Sequence, residues 1–163
     1  MSGGASSVIA DVAAELDLPL PAPDGPSARA LARALPRAAT VTNPLDVTAA
    51  AMVDPRILTS AAQTMMGAAS VDIVLVQLTT NADPVAADMA QELVRLHRSA
   101  TKPLLISRLG AASLAPRAME IYRSAGVPLL TWPEDATRVA WAVATAGEIM
   151  ARASEKREVG SAP

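Results

Sequence analysis

Residues 71–78, Val-Asp-Ile-Val-Leu-Val-Gln-Leu, constrain this chain more than any other stretch. So nearly continuous an apolar run is what a strand buried on both faces needs, and that is the environment of a parallel sheet. Two shorter runs follow the same rule, Pro103–Ser107 and Val127–Thr131. Helical stretches separate them. Asp83-Pro84 opens one that reaches about Arg98, Ala112–Ala125 forms another that stops at Gly126, and Pro133-Glu134-Asp135 begins a last one running past Met150. Strand and helix in strict alternation imply parallel βαβ units.

The fold class expected is therefore α/β: three layers, α/β/α, around a doubly wound, flavodoxin-like parallel sheet. The first half of the chain is less regular. Ser6–Leu16 has helical spacing of apolar residues, Leu18–Pro21 is short and extended, and Ser27 is placed to cap a helix ending near Leu35. Ala39–Val47 reads as extended chain carrying the turn Asn43-Pro44-Leu45-Asp46. Asp54-Pro55 starts a helix to about Ala69. Met1-Ser2-Gly3-Gly4 occupies the place of a strand-to-helix turn, yet no strand precedes it. In this topology the first strand lies inside the sheet, so the sheet is expected to lack its first central strand and the chain to start inside a longer natural one. Residues 1–153 are read as one domain and 154–163 as a flexible C-terminal tail.

Composition narrows the chemistry. The 163 residues carry 14 basic and 16 acidic groups, which speaks against a nucleic-acid or anionic-membrane surface. No run approaches a membrane span, and Met1–Ala10 lacks the basic and apolar regions of a signal peptide. There is no cysteine and a single histidine, so thiolate and multi-histidine metal sites are excluded and a cytoplasmic setting is expected. With Tyr122, Trp132 and Trp141 as its only aromatic residues, the chain is poorly equipped to stack on a flavin.

Ligands of open α/β sheets bind at the carboxyl ends of strands, which singles out three loops. Ser2-Gly3-Gly4 opens a helix whose N–H groups suit an anion; a tight turn is the purely structural alternative. Thr79, Thr80 and Asn81 place two hydroxyls and an amide between the best strand and the next helix, where they serve either an oxyanion or simple capping. Asn43 and Asp46 flank Pro44 in a loop that Asp46 can brace. His97 fits the C-terminus of a surface helix. Met65-Met66 reads as core filling; Arg108 and Lys102 could reach an anion but read first as solvated loop cations.

Taken together, Ser2-Gly3-Gly4-Ala5, Ala10-Asp11, Leu18-Pro19-Leu20 and Asn43-Pro44-Leu45-Asp46-Val47-Thr48 resemble the last domain of the α region of ADP-forming acetate–CoA ligases. Val71-Asp72-Ile73-Val74-Leu75-Val76, Lys102-Pro103-Leu104-Leu105, Ala125-Gly126-Val127-Pro128 and Trp132-Pro133-Glu134-Asp135-Ala136 continue the likeness to about Ala153. The same domain type occurs in succinyl–CoA ligases and in ligase-like regions of bacterial protein acetyltransferases. The resemblance implies a larger NDP-forming enzyme that makes acyl-CoA through an acyl phosphate. CoA-binding and ATP-grasp domains or subunits would be the partners, and a small carboxylic acid and phosphate the ligands. CoA and ATP with Mg would be bound elsewhere, and no cofactor, catalytic residue or metal ligand is expected in this domain. It implies phosphate or acyl contacts at Ser2, Gly3, Gly4, Asn43, Asp46, Thr79, Thr80 and Asn81. The family's phosphorylated histidine lies in another domain, and His97 does not match it. The isolated chain is then expected to be inactive. A non-catalytic regulatory domain of an acetyltransferase fusion, or a truncated relic, is the alternative.

Overall fold

A computed structural model describes residues 3–37 and 39–160, the last six by backbone alone. Ser2 lies outside the described residues. The sheet has three parallel strands in the order β1-β2-β3: β1 Val74–Leu78, β2 Leu104–Arg108 and β3 Leu129–Leu130. Val74 pairs with Leu104 and Leu78 with Arg108, while Ile106 and Ser107 sit opposite Leu129 and Leu130. The helices are α1 Gly3–Glu15, α2 Gly25–Ala34, α3 Ala50–Val53, α4 Arg56–Gly67, α5 Val85–Arg98, α6 Pro116–Ser124 and α7 Pro133–Gly160.

Pleating sends alternate side chains of a strand to opposite faces. Val74, Val76 and Leu78 enter one core with Leu104 and Ile106 of β2, Leu31 of α2, and Leu58, Met65 and Met66 of α4. Met89 and Leu93 of α5 and Tyr122 of α6 complete it. The opposite face is covered by α7, with α1 packed beside it. That second layer is built on small residues: Ala5 and Ala13 of α1 and Ala136 and Ala140 of α7 are buried there. Small side chains let helices approach closely, and they explain how a chain with almost no aromatic residues fills its interior. The three-layer α/β/α, flavodoxin-like arrangement is thus present, with β1 at a sheet edge.

Several boundaries move for identifiable reasons. α2 starts two residues before Ser27, because Asp24 is its cap: Asp24 Oδ1 accepts the Ser27 N–H at 2.8 Å. Its other oxygen accepts the Ala69 N–H at 3.1 Å, tying α2 to the turn after α4. Asp54 does bind the first turn of α4, accepting from Arg56 N–H at 3.1 Å. The helix expected over residues 112–125 is split into a 3-10 turn, Ala112–Leu114, and α6, because Pro116 restarts the helix. Gly126 closes α6 at φ +68°, the left-handed conformation that glycine adopts freely.

The extended stretches of the first half add no strand to the sheet. Residues 18–21 are irregular, and residues 39–47 make only an antiparallel bridge between Thr40 and Asp46. α7 remains helical to Gly160, past the point where composition suggested fraying. At about 1.5 Å per residue its 28 residues are roughly 42 Å long, and from Ala146 to Ser154 every residue is exposed. Trp132 and Trp141 are exposed as well, while Tyr122 is buried. Among the described residues no helix is long and apolar enough to cross a membrane.

Candidate functional site

The carboxyl ends of β1 and β2 meet through one side chain that sequence reasoning undervalued. Arg108 ends β2 and is 4% exposed, so it is not a solvated loop residue. Its guanidinium donates to the Asn81 carbonyl at 2.6 Å, to the Gly110 carbonyl at 3.1 Å and to that of Ala111 at 3.4 Å. The loop after β1 is therefore clamped to the loop after β2. The planar fork of arginine suits such multiple donation, and among the described residues the charge meets carbonyl dipoles rather than a carboxylate.

Asn81 is buried with it. Its amide nitrogen faces Met89 Sδ at 4.0 Å, and its Oδ1 has no partner among the described residues, nor has Arg108 Nε. Thr80 lies on the outside of this clamp, exposed, with its side chain against Gly110. Gly110 has φ +106°, and a Cβ there would sit 2.8 Å from Thr80 Cγ2, so glycine is required on both counts. Thr79 is half-buried just ahead of them.

The helix that follows, α5, has no side-chain cap at its N-terminus. Asp83, expected to open it, instead accepts the Arg117 N–H at 2.8 Å and so serves the start of α6. Its own N–H goes to the Leu114 carbonyl at 3.2 Å. Tyr122 stands near Arg108; burial pushes its phenol well above the usual range, and the guanidinium opposes that weakly. The hydroxyl is thus a neutral, buried group.

A second region lies beside β1. A cavity of about 360 Å³ lies along the strand, with Ala5, Ser6, Asn43, Pro44, Gln77 and Thr137 in its lining. Asn43 donates from Nδ2 to the Pro21 carbonyl at 3.1 Å, which ties together two segments of the cavity lining. Asp46 braces that loop as expected, accepting the Thr48 N–H at 2.8 Å, and this bond holds its carboxyl below the usual value against the opposing effect of burial. Gly3 and Gly4 form the first turn of α1. A Cβ at Gly3 would meet nothing within 4 Å, so packing does not demand glycine there.

The sequence-derived site residues thus fall into two groups. Asn43 lines the cavity beside β1 and Asp46 braces its loop, whereas Gly3 and Gly4 do not line it, the α1 residues there being Ala5, Ser6 and Ile9. Thr79, Thr80 and Asn81 gather around Arg108 and do not line that cavity. One other expectation changes. Lys102 is not a free cation: Nζ donates to the carbonyls of Ala68 at 2.7 Å and Val71 at 2.6 Å, closing the turn before β1. His97 lies in the last turn of α5 as expected, half-buried, with Nδ1 shielded and unpartnered among the described residues. No group of three or more potential metal ligands from His, Asp or Glu occurs among those residues.

Strand-end loops on an open three-layer α/β/α sheet define the class, and solved structures of the same fold exist. The chain is similar to the dinucleotide-forming acetyl-coenzyme A synthetase 1 of Ca. Korarchaeum cryptofilum, both in its apo form and in complex with phosphate and ADP. Each comparison gives a TM-score of 0.75 at 20% identity over 99% of this chain and 34% of that one. It is also similar to PH0766 from Pyrococcus horikoshii OT3, with a TM-score of 0.72 at 24% identity, over 86% of this chain and 33% of the other. The chain therefore spans about a third of the length of each. At these identities the likeness is one of fold. No family model and no curated protein matches the sequence.

Proposed function

We propose that this chain is a domain related to NDP-forming acid–CoA ligases, one that positions an oxyanion, phosphoryl or acyl, for chemistry completed by other domains. The observation that carries the reading is the fold match over nearly the whole chain to one third of an acetyl-coenzyme A synthetase. The loop after β1 supports it. Thr79 and Thr80 present hydroxyls ahead of an α5 N-terminus that no side chain caps, and helix N–H groups favour negative charge. Gly3 and Gly4 in the first turn of α1, together with Asn43, Asp46 and Ser2, which lies outside the described residues, supply the second anion-facing group in this reading. The domain's contribution is electrostatic and positional. CoA and ATP with Mg are assigned to CoA-binding and ATP-grasp domains or subunits, and the setting is cytoplasmic.

The test is reconstitution. Purified chain mixed with acetate, ATP, Mg and CoA yields no acyl-CoA by chromatography, and adding CoA-binding and ATP-grasp parts of an NDP-forming ligase gives turnover. Turnover by the chain alone, or none with any such partners, overturns the proposal.

One observation favours a second reading, a non-catalytic regulatory domain of the kind fused to acetyltransferases. The Asn81 carbonyl and nearly the whole Arg108 guanidinium are engaged internally, so part of the loop serves the fold. Phosphate titration followed at the amides of Thr79 and Thr80 separates the two: shifts there support the ligase-related role, and their absence supports the regulatory one.

A further inference from the structure

From the Asn81 carbonyl to the Asp83 N–H, every backbone polar group but one has a partner. The Asn81 carbonyl accepts from the Arg108 guanidinium at 2.6 Å, in a buried contact. The Ala82 carbonyl accepts from Ala86 N–H at 3.0 Å, at the entry to α5. Asp83 donates its N–H to the Leu114 carbonyl at 3.2 Å. The group left over is the Ala82 N–H, which has no acceptor among the described residues. Ala82 is exposed, whereas Asn81 before it is buried.

Peptide planarity gives that N–H a direction. The Asn81 carbonyl and the Ala82 N–H belong to one trans peptide unit, in which C=O and N–H point opposite ways and cannot turn independently. Arg108 draws the carbonyl into the interior, so the same plane turns the N–H outward at the carboxyl end of the sheet. There it adds a donor to the positive end of α5, which no side chain caps.

The guanidinium is well placed to hold this aim. It is 4% exposed, and Nη1 donates to the Gly110 and Ala111 carbonyls while Nη2 holds Asn81. An ammonium on a flexible stem has no fork with which to hold both loops. On its other side Ala82 is followed by Asp83, whose Oδ2 accepts from Arg117 N–H at 2.8 Å. The partners that fix the two neighbours, Arg108, Leu114 and Arg117, all lie between the end of β2 and the first turn of α6. One segment of chain thus sets the geometry of the loop on both sides of Ala82.

We propose that Arg108 is a positioning residue of the oxyanion loop: by holding the Asn81 carbonyl inward, it aims the Ala82 N–H at a phosphoryl or carboxylate oxygen bound ahead of α5. The donor is then fixed before a ligand arrives, and binding does not bear the cost of ordering it. The nature of the anion rests on the ligase-related reading; the aim of the N–H does not.

The experiment uses the full chain labelled with nitrogen-15 and inorganic phosphate as the probe. Without phosphate, the Ala82 amide is expected to be rigid, with an order parameter near 0.85, roughly that of ordered backbone. It should also exchange with water within about tenfold of the unprotected rate, because it faces solvent. An order parameter below about 0.6, or strong protection, overturns the proposal. Arg108→Lys is expected to loosen Ala82 below about 0.6, while Leu93→Ala, which removes core packing far along α5, leaves it rigid. Equal loosening in both variants, or none in Arg108→Lys, would assign Arg108 to stability alone and overturn the proposal; should Arg108→Lys unfold, the wild-type measurements still decide. With phosphate, the Ala82 amide proton is expected to move downfield, and Arg108→Lys to weaken the apparent affinity by about tenfold or more. Shifts at Thr79 and Thr80 that bypass Ala82 overturn this inference and leave the ligase-related reading standing. No response anywhere in the loop sinks that reading, while rigidity and exchange at Ala82 still decide the role of Arg108.

Discussion

Arg108 and Asp83 show what single residues do here beyond their local sequence. Each makes its decisive hydrogen bond to a residue tens of positions away: Arg108 to Asn81 and Asp83 to Arg117. Such partners are invisible to periodicity and capping rules, which work within a few residues. That is why Arg108 read as a loop cation and Asp83 as the cap of its own helix. Asp46, whose partner is two residues on, was legible. Arg108→Lys is expected to destabilise the fold by about 1–3 kcal/mol, because a single ammonium cannot span three carbonyls and leaves buried acceptors unpaired. Urea denaturation measures it; an unchanged midpoint would show that the clamp is not structural.

Among elements, legibility followed burial pattern. β1 and β2 were found within a few residues of their ends because continuous apolar runs mark strands covered on both faces. α5 was found for the complementary reason, a clear apolar stripe carrying Met89, Leu93 and Leu96. The first half was less readable. Proline-rich segments such as residues 18–23 are irregular, and their carbonyls accept from Asn43 and Ser70, which are distant in sequence. Within the candidate site, Thr79–Asn81 fall between β1 and α5 as the sequence placed them, but which segments share a cavity was not readable from spacing. The same contrast separates α5 from the distal part of α7. Leu93 is completely buried, and Leu93→Ala should cost about 2–5 kcal/mol. Ile149 is 62% exposed, and Ile149→Ala should change stability by no more than about 0.5 kcal/mol. Chemical denaturation of the two variants side by side checks both, and similar losses would contradict this contrast between the two helices.

At the scale of the whole molecule, charge enters stability through a few depressed carboxyls. The Ser27 N–H lowers Asp24, the Arg56 guanidinium lowers Asp54, and the Ser124 hydroxyl with Arg123 lowers Glu120. Each binds protons less readily folded than unfolded. Its stabilisation is therefore complete above the ordinary value, 3.8 for Asp and 4.5 for Glu, and is lost as pH falls through the lower folded value. The melting temperature should be level from neutral pH to about 5 and decline below about 4, as thermal circular dichroism would record; a decline already complete at pH 5 would require other groups. The scarcity of aromatic residues has a spectroscopic consequence for all such measurements. Both indoles, Trp132 and Trp141, already emit from a water-exposed setting in the native protein, so unfolding will scarcely move their fluorescence maximum. The single phenol in the core, Tyr122, makes near-ultraviolet dichroism the optical signal that tracks loss of tertiary packing.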